Sequence, residues 1–142
     1  MNKTAIYNRL LEFGIKPSVQ RLAILEYIMT HHTHPTIEEV YKGLYGEVPT
    51  LSKTTVYNTL RMFSEKGIAT MITIDDHRVC YDGNVEPHAH FFCKKCGKVY
   101  DLHEQAHPKL ETKAIESGGH LIDEVQLYYK GICKGCRETS IN

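Results

Sequence analysis

The sequence has no surplus of either charge: 17 Lys and Arg balance 17 Asp and Glu, and a cut near Val85 leaves both parts neutral as well. Bulk electrostatics therefore does not point to nucleic acid. Any DNA-binding surface has to be local, because affinity for phosphate depends on where the cations sit as well as on how many there are. No apolar run comes near the roughly 20 residues that cross a bilayer, and even Leu22 to Met29 is interrupted by Glu26. A membrane role has no support on that ground. Met1 to Leu11 lack the apolar core and small-residue cleavage site of a signal peptide, so a cytoplasmic protein is expected. Five cysteines make an odd number, and a reducing cytosol keeps thiols free, which argues against a disulfide framework. There is no internal repeat and no low-complexity segment. What remains is a chain of 142 residues, 42% hydrophobic and 24% charged, suited to one ordinary domain or two small ones.

The apolar positions recur at helical spacing in the first half. Ile6, Leu10 and Leu11, then Leu22, Leu25, Ile28 and Met29, predict two helices separated by the breakers Gly14 and Pro17. A third starts at Pro35-Thr36, with Ile37, Val40, Tyr41 and Leu44 on one face, and ends by Gly46 and Pro49. Ser52 is a good N-cap for a fourth, which buries Val56, Leu60 and Phe63 and stops at Gly67. Its opposite face carries Lys53, Thr54, Tyr57, Asn58 and Arg61, side chains able to reach phosphates, base edges or a thymine methyl. That makes it a candidate recognition helix, although spacing alone fits a solvated amphipathic helix better. The β-rich runs Ala69–Ile74 and Arg78–Asp82 flank Asp75-Asp76-His77 as a hairpin, completing a winged-helix pattern. After the linker Asn84-Val85-Glu86-Pro87 the pattern changes. Short strands at Ala89–Phe92 and Lys98–Leu102, a helix near Pro108–Glu116 and a strand Val125–Ile132 form a second α+β region.

Four of the cysteines fall in two C-x2-C knuckles, Cys93/Cys96 and Cys133/Cys136, with 36 residues between them. Each knuckle is a tight turn that can present two sulfurs to one tetrahedral ion, and four thiolates leave no open coordination position. Structural zinc is the expected occupant, closing and stabilising the second region. His88-Ala89-His90 is a further candidate, since alternate residues of a strand share a side and two imidazoles can share an ion. Read by itself, it fits a pair of ordinary surface imidazoles better than a metal site. Asp82, Asp101 and His34 are isolated in sequence.

Taken in order, His34-Pro35-Thr36, Thr54 to Leu60, His88 to Lys98 and the last knuckle resemble the ferric-uptake-regulator (Fur) superfamily over nearly the whole chain. The resemblance implies an α+β protein with a winged-helix DNA-binding domain at 1–83, a hinge at 84–87 and a small zinc-containing α/β dimerisation domain at 88–142. It implies structural Zn(2+) on Cys93, Cys96, Cys133 and Cys136. It also implies a regulatory Fe(2+) or Mn(2+) on His34, Asp82, His88, His90 and Asp101. Three imidazoles and two carboxylates suit those metals, with no thiolate biasing the set toward zinc or copper. A homodimer on a palindromic double-stranded operator follows, with metal favouring DNA binding. Asp101, where iron-sensing members more often have glutamate, together with Asn58 and Arg61, makes the peroxide-sensing branch of the superfamily the best match. In that branch His34 or His88 is implied to gain one oxygen on oxidation, with peroxide the sole small molecule consumed.

Some residues depart from the family pattern. Ala89 and Val125 replace ligands of an additional site in some relatives, so two metal sites per protomer are expected. Pro17-Ser18-Val19-Gln20-Arg21 alters a turn and should leave the following helix intact. Cys80 faces the same way as Asp82 in an extended strand, which leaves a sulfur ligand, an oxidisable thiol and an inert core thiol all open. Three other functions compete. An iron- or zinc-uptake regulator would share the fold. A metalloenzyme needs an open ion and a general base, and no base is evident. A pure zinc-ribbon module would leave the first 80 residues without a task.

Overall fold

The computed structural model describes residues 2–75, 78–85, 89–102, 116–122 and 125–139. The chain divides into two compact units, Met1–Val85 and Glu86–Asn142, with the break inside the expected hinge.

The first unit contains α1 (Lys3–Glu12), α2 (Val19–Thr30), α3 (Ile37–Leu44), α4 (Lys53–Lys66), β1 (Thr70–Ile72) and β2 (Cys80–Asp82). Each helix starts where a short polar side chain takes up an otherwise orphaned amide: Asn2 accepts from Ala5, Ser18 from Arg21, Thr36 from Glu39 and Ser52 from Thr55. Ser18 therefore starts α2 in spite of the unusual Pro17-Ser18 turn. Gly67 ends α4 at φ +83°, where its amide reaches the Phe63 and Ser64 carbonyls. Ile6, Leu10, Ile24, Leu25, Ile28, Val40, Val56, Leu60 and Phe63 meet in one core with almost no exposure. Leu11, expected on the same stripe, is instead 51% exposed. It follows Leu10 by one residue, which on a 3.6-residue helix turns it about 100° away from the Ile6–Leu10 line. β1 and β2 form the expected antiparallel hairpin, with Met71 opposite Tyr81.

The second unit is built on β3 (Ala89–Cys93), β4 (Val99–Leu102) and β5 (Tyr128–Gly131), followed by α5 (Lys134–Thr139). The sheet order is β4-β3-β5, with β3 antiparallel to β4 and parallel to β5. The last strand is shorter than the expected Val125–Ile132. Its ladder opens with the His90 amide on the Leu127 carbonyl and closes with the Lys94 amide on Gly131, where the chain turns into the second knuckle. The helix expected near Pro108–Glu116 lies, apart from Glu116, outside the described residues, as does His88.

Candidate metal centres and nucleic-acid interface

In the second unit, β3 ends at Cys93 and β5 runs directly into Cys133, so parallel pairing of these strands brings the knuckles side by side. The sulfurs of Cys93, Cys96, Cys133 and Cys136 all lie within 4.8 Å of one another, and those of Cys96 and Cys133 are 3.8 Å apart. A tetrahedral ion with bonds of about 2.3 Å requires sulfurs about 3.8 Å apart, so the four fit zinc. Backbone amides already point at them. Cys93 Sγ accepts from the amides of Cys96 at 3.4 Å and Cys133 at 3.3 Å, and Cys133 Sγ accepts from Cys136 at 3.4 Å.

These amide donors, that of Cys96 foremost, hold the Cys93 thiol down to about 6. Cys133 is lowered too, first by the Cys136 amide and then by the Tyr100 hydroxyl. Cys136 is pushed up to about 12, because its proton is shared with Cys133 and its site is desolvated. Four thiolates cannot all ionise at this spacing unless a cation compensates them, which is what a divalent ion supplies. Tyr100, pushed up to about 12 by its bond to Cys133, was missed in the sequence. The signal for it was alternation: next to Asp101 on a strand, it has to face the opposite side.

His34 and Asp82 meet within the first unit. Thr36 bridges Cys80 in antiparallel sense and the Tyr81 amide donates to the Pro35 carbonyl at 2.9 Å. Continuing that register by two residues places His34 across from Asp82, and Nε2 lies 3.6 Å from Oδ2 with both residues buried. His34 has φ +55°, a left-handed conformation that non-glycine residues adopt sparingly and that is found disproportionately at functional sites. The Asp82 carboxylate is fixed from its other side by the Asn84 amide at 2.9 Å. Gly83 has no freedom to be anything larger, since a Cβ there would sit 2.9 Å from the Ile28 carbonyl oxygen.

The second unit contains a comparable pair. His90 on β3 is directly opposite Asp101 on β4, with Nε2 3.2 Å from Oδ1, and its ring packs edge-on to Tyr128 at 6.2 Å. His90 is 4% exposed. Cys80, by contrast, belongs to no group of potential ligands among the described residues. It is buried, and burial pushes its thiol up, away from the reactive thiolate.

The polar face of α4 is open. Lys53, Thr54, Tyr57, Asn58 and Arg61 are exposed, while Val56, Thr59, Leu60 and Phe63 are buried beneath them. Lys53 Nζ lies 2.8 Å from Glu38 Oε1 and 5.6 Å from the centre of the Tyr41 ring, and Arg61 Nε lies 3.1 Å from Glu65 Oε1. Neither acidic partner was singled out in the sequence. For Glu65 the i,i+4 spacing was the available signal, whereas Glu38 is reached only through the packing of α3 on α4.

The model of the ferric uptake regulator family matches residues 12–130. The chain belongs to the ferric uptake regulator family. It is 36% identical over 127 residues to the peroxide operon regulator of Bacillus subtilis (strain 168), covering 89% of this chain and 88% of that protein. Among solved structures, a ferric uptake regulator from Francisella tularensis with iron is similar at 28% identity and TM-score 0.69, covering 88% of this chain and 96% of the other. The Campylobacter jejuni peroxide stress regulator is similar at 27% identity and TM-score 0.65, covering 94% and 97%. Membership makes the chain a regulator rather than an enzyme, and its α+β arrangement of a winged helix followed by a small sheet unit is that of the family's known structures. No helix among the described residues is long and apolar enough to cross a membrane.

Proposed function

We propose that this protein is a metal-dependent, DNA-binding transcriptional repressor that responds to peroxide. The observation that carries the reading is the separation of donor types. Each unit buries an imidazole against a carboxylate, His34 with Asp82 and His90 with Asp101, while four of the five cysteines are gathered in a cluster of their own. Sulfur sites hold zinc in a fixed structural role, and nitrogen and oxygen sites suit Fe(II) or Mn(II). Relatives in Bacillus subtilis and Staphylococcus epidermidis are a peroxide operon regulator and a peroxide-responsive repressor, which supports the same reading.

In this proposal Cys93, Cys96, Cys133 and Cys136 hold zinc, and His34, Asp82, His88, His90 and Asp101 hold the regulatory ion. Bound Fe(II) would supply the electrons that reduce peroxide, which Mn(II) resists doing under the same conditions. The chain's own contribution is to place the ligands on both sides of the hinge at 84–87. An ion that needs all of them favours one arrangement of the two units, so metal shifts a population toward the DNA-competent form. The protein acts in the cytoplasm as a homodimer, and a two-fold dimer reads a palindromic duplex with α4 of each protomer in the major groove.

The test separates base reading from phosphate contact. Arg61→Ala is expected to weaken binding to a palindrome selected by the manganese-loaded protein by roughly 1 to 3 kcal/mol, and to relax preference at one base position. Lys53→Ala is expected to weaken all duplexes alike and flatten the salt dependence. Fluorescence anisotropy across a salt series measures both. Unchanged affinity in both variants would eliminate α4 as the reading helix.

A further inference from the structure

We infer that Glu38 and Glu65 act as internal stand-ins for DNA phosphate, holding the two cations of the α4 face and setting the strength of DNA binding. The inference rests on the reading of α4 as the DNA-facing helix. Two cations project from that face, and each is engaged by a carboxylate: Lys53 by Glu38 at 2.8 Å, from a different helix, and Arg61 by Glu65 at 3.1 Å, one turn along the same helix. All four side chains are at least half exposed, so the pairs lie where a duplex would approach. Lys53 is held further by the Tyr41 ring. The hydrogen bond between Glu38 and Lys53 lowers the one group and raises the other, so both stay charged across the physiological range.

The consequence is an exchange reaction. A phosphate gains Lys53 only by displacing Glu38, and the displaced carboxylate is left beside the DNA. A freed carboxylate in that field takes up a solution cation, which offsets the roughly 0.9 cation that each neutralised phosphate of B-DNA releases. Lys53 therefore adds less to affinity, and less to salt sensitivity, than an unpaired lysine would. The same holds for Arg61. The chain as a whole is balanced in the same way, with 17 basic and 17 acidic residues. The neutrality extends to the binding face, where it restrains binding in the metal-free form as much as in the loaded one.

The experiment uses the full-length zinc protein, with and without Mn(II), and two probes: a mixed-sequence duplex and a palindrome selected by the unmodified protein. Glu38→Gln keeps shape and removes the charge. It is expected to tighten both duplexes by about two- to five-fold, the range for an exposed ion pair, and to steepen the log–log salt slope by up to about 0.9. Glu65→Gln should behave alike. Glu12→Gln, exposed at the end of α1, serves as the control for net charge alone. In a Lys53→Ala background, where only the repulsion between Glu38 and the duplex is left to relieve, Glu38→Gln should gain clearly less than it does in the unmodified protein. An equal gain from Glu12→Gln and Glu38→Gln, or a full Glu38→Gln gain that survives Lys53→Ala, overturns the inference. Should Lys53→Ala and Arg61→Ala leave both probes unaffected, the DNA-facing role of α4 itself is lost, a failure distinct from the first because it appears without any glutamate variant.

Discussion

Cys93→Ser is expected to abolish tight zinc binding and dimerisation together. Cys93 is fully buried at the end of β3, and its sulfur accepts amides from both knuckles, so it is the atom through which the two turns are joined. Serine supplies a shorter, harder oxygen that stays protonated at neutral pH and cannot complete a four-thiolate set. The apparent binding energy of structural zinc in small domains is about 10 to 16 kcal/mol, comparable to or larger than the whole stability of a domain, so the loss cannot be silent. Zinc per chain after mild chelation and mass in solution measure the two effects. A variant that keeps full zinc and a normal dimer would contradict the assignment.

The first unit should survive this substitution, because its core is built from Ile6 through Phe63 without the knuckles. Retained helical signal with a separate melting transition would show that. Acid should reproduce the effect in the unmodified protein. The Cys136 thiol is held up near 12 without an ion, so zinc must displace its proton, and affinity falls as pH falls.

The second large effect concerns peroxide. Protein loaded anaerobically with Fe(II) and treated with stoichiometric peroxide is expected to gain one oxygen atom on His34 or His88 and to lose DNA affinity. A loss of about 5- to 150-fold is the usual span of coupling between two sites. Mn(II)-loaded protein should stay bound and unmodified. His34 is the position in the described structure with the most at stake: buried, held in a left-handed conformation and 3.6 Å from Asp82. An added oxygen there changes the ring's size and donor capacity where there is little room to adjust. Peptide mapping by mass spectrometry locates the oxygen, and release is followed on the same samples. Oxidation that maps to Cys80 and reverses with a thiol reductant would replace the histidine mechanism with a cysteine one. The burial of Cys80 and its upward-shifted thiol argue against that outcome. Iron-loaded protein that remains on DNA with both histidines unmodified would leave a simple iron- or manganese-responsive repressor.

Much of this was legible in local chemistry. Ser52 and Gly67 bound α4 because a hydroxyl cap and a left-handed glycine act within one helical turn, and the apolar line Val56, Leu60, Phe63 fixes which side faces the core. The two knuckles were legible for the same reason, since each is a turn of four residues that presents its sulfurs without outside help. Beyond such short-range effects, spacing and periodicity are silent, and the grouping of distant ligands came only as what the family resemblance implied. His90 and Asp101 become neighbours through antiparallel register, and His34 reaches Asp82 through a bridge between Thr36 and Cys80. The union of the knuckles depends on parallel pairing of β3 with β5 across tens of residues. The Lys53–Glu38 pair exists only because α3 packs on α4. Periodicity and capping are written in neighbouring residues, but register and packing are set by which surfaces the folded chain can bury together. The choice of helix, knuckle and cap thus belonged to the sequence alone, and the pairing of each imidazole, thiolate and cation with its partner was decided by the tertiary structure.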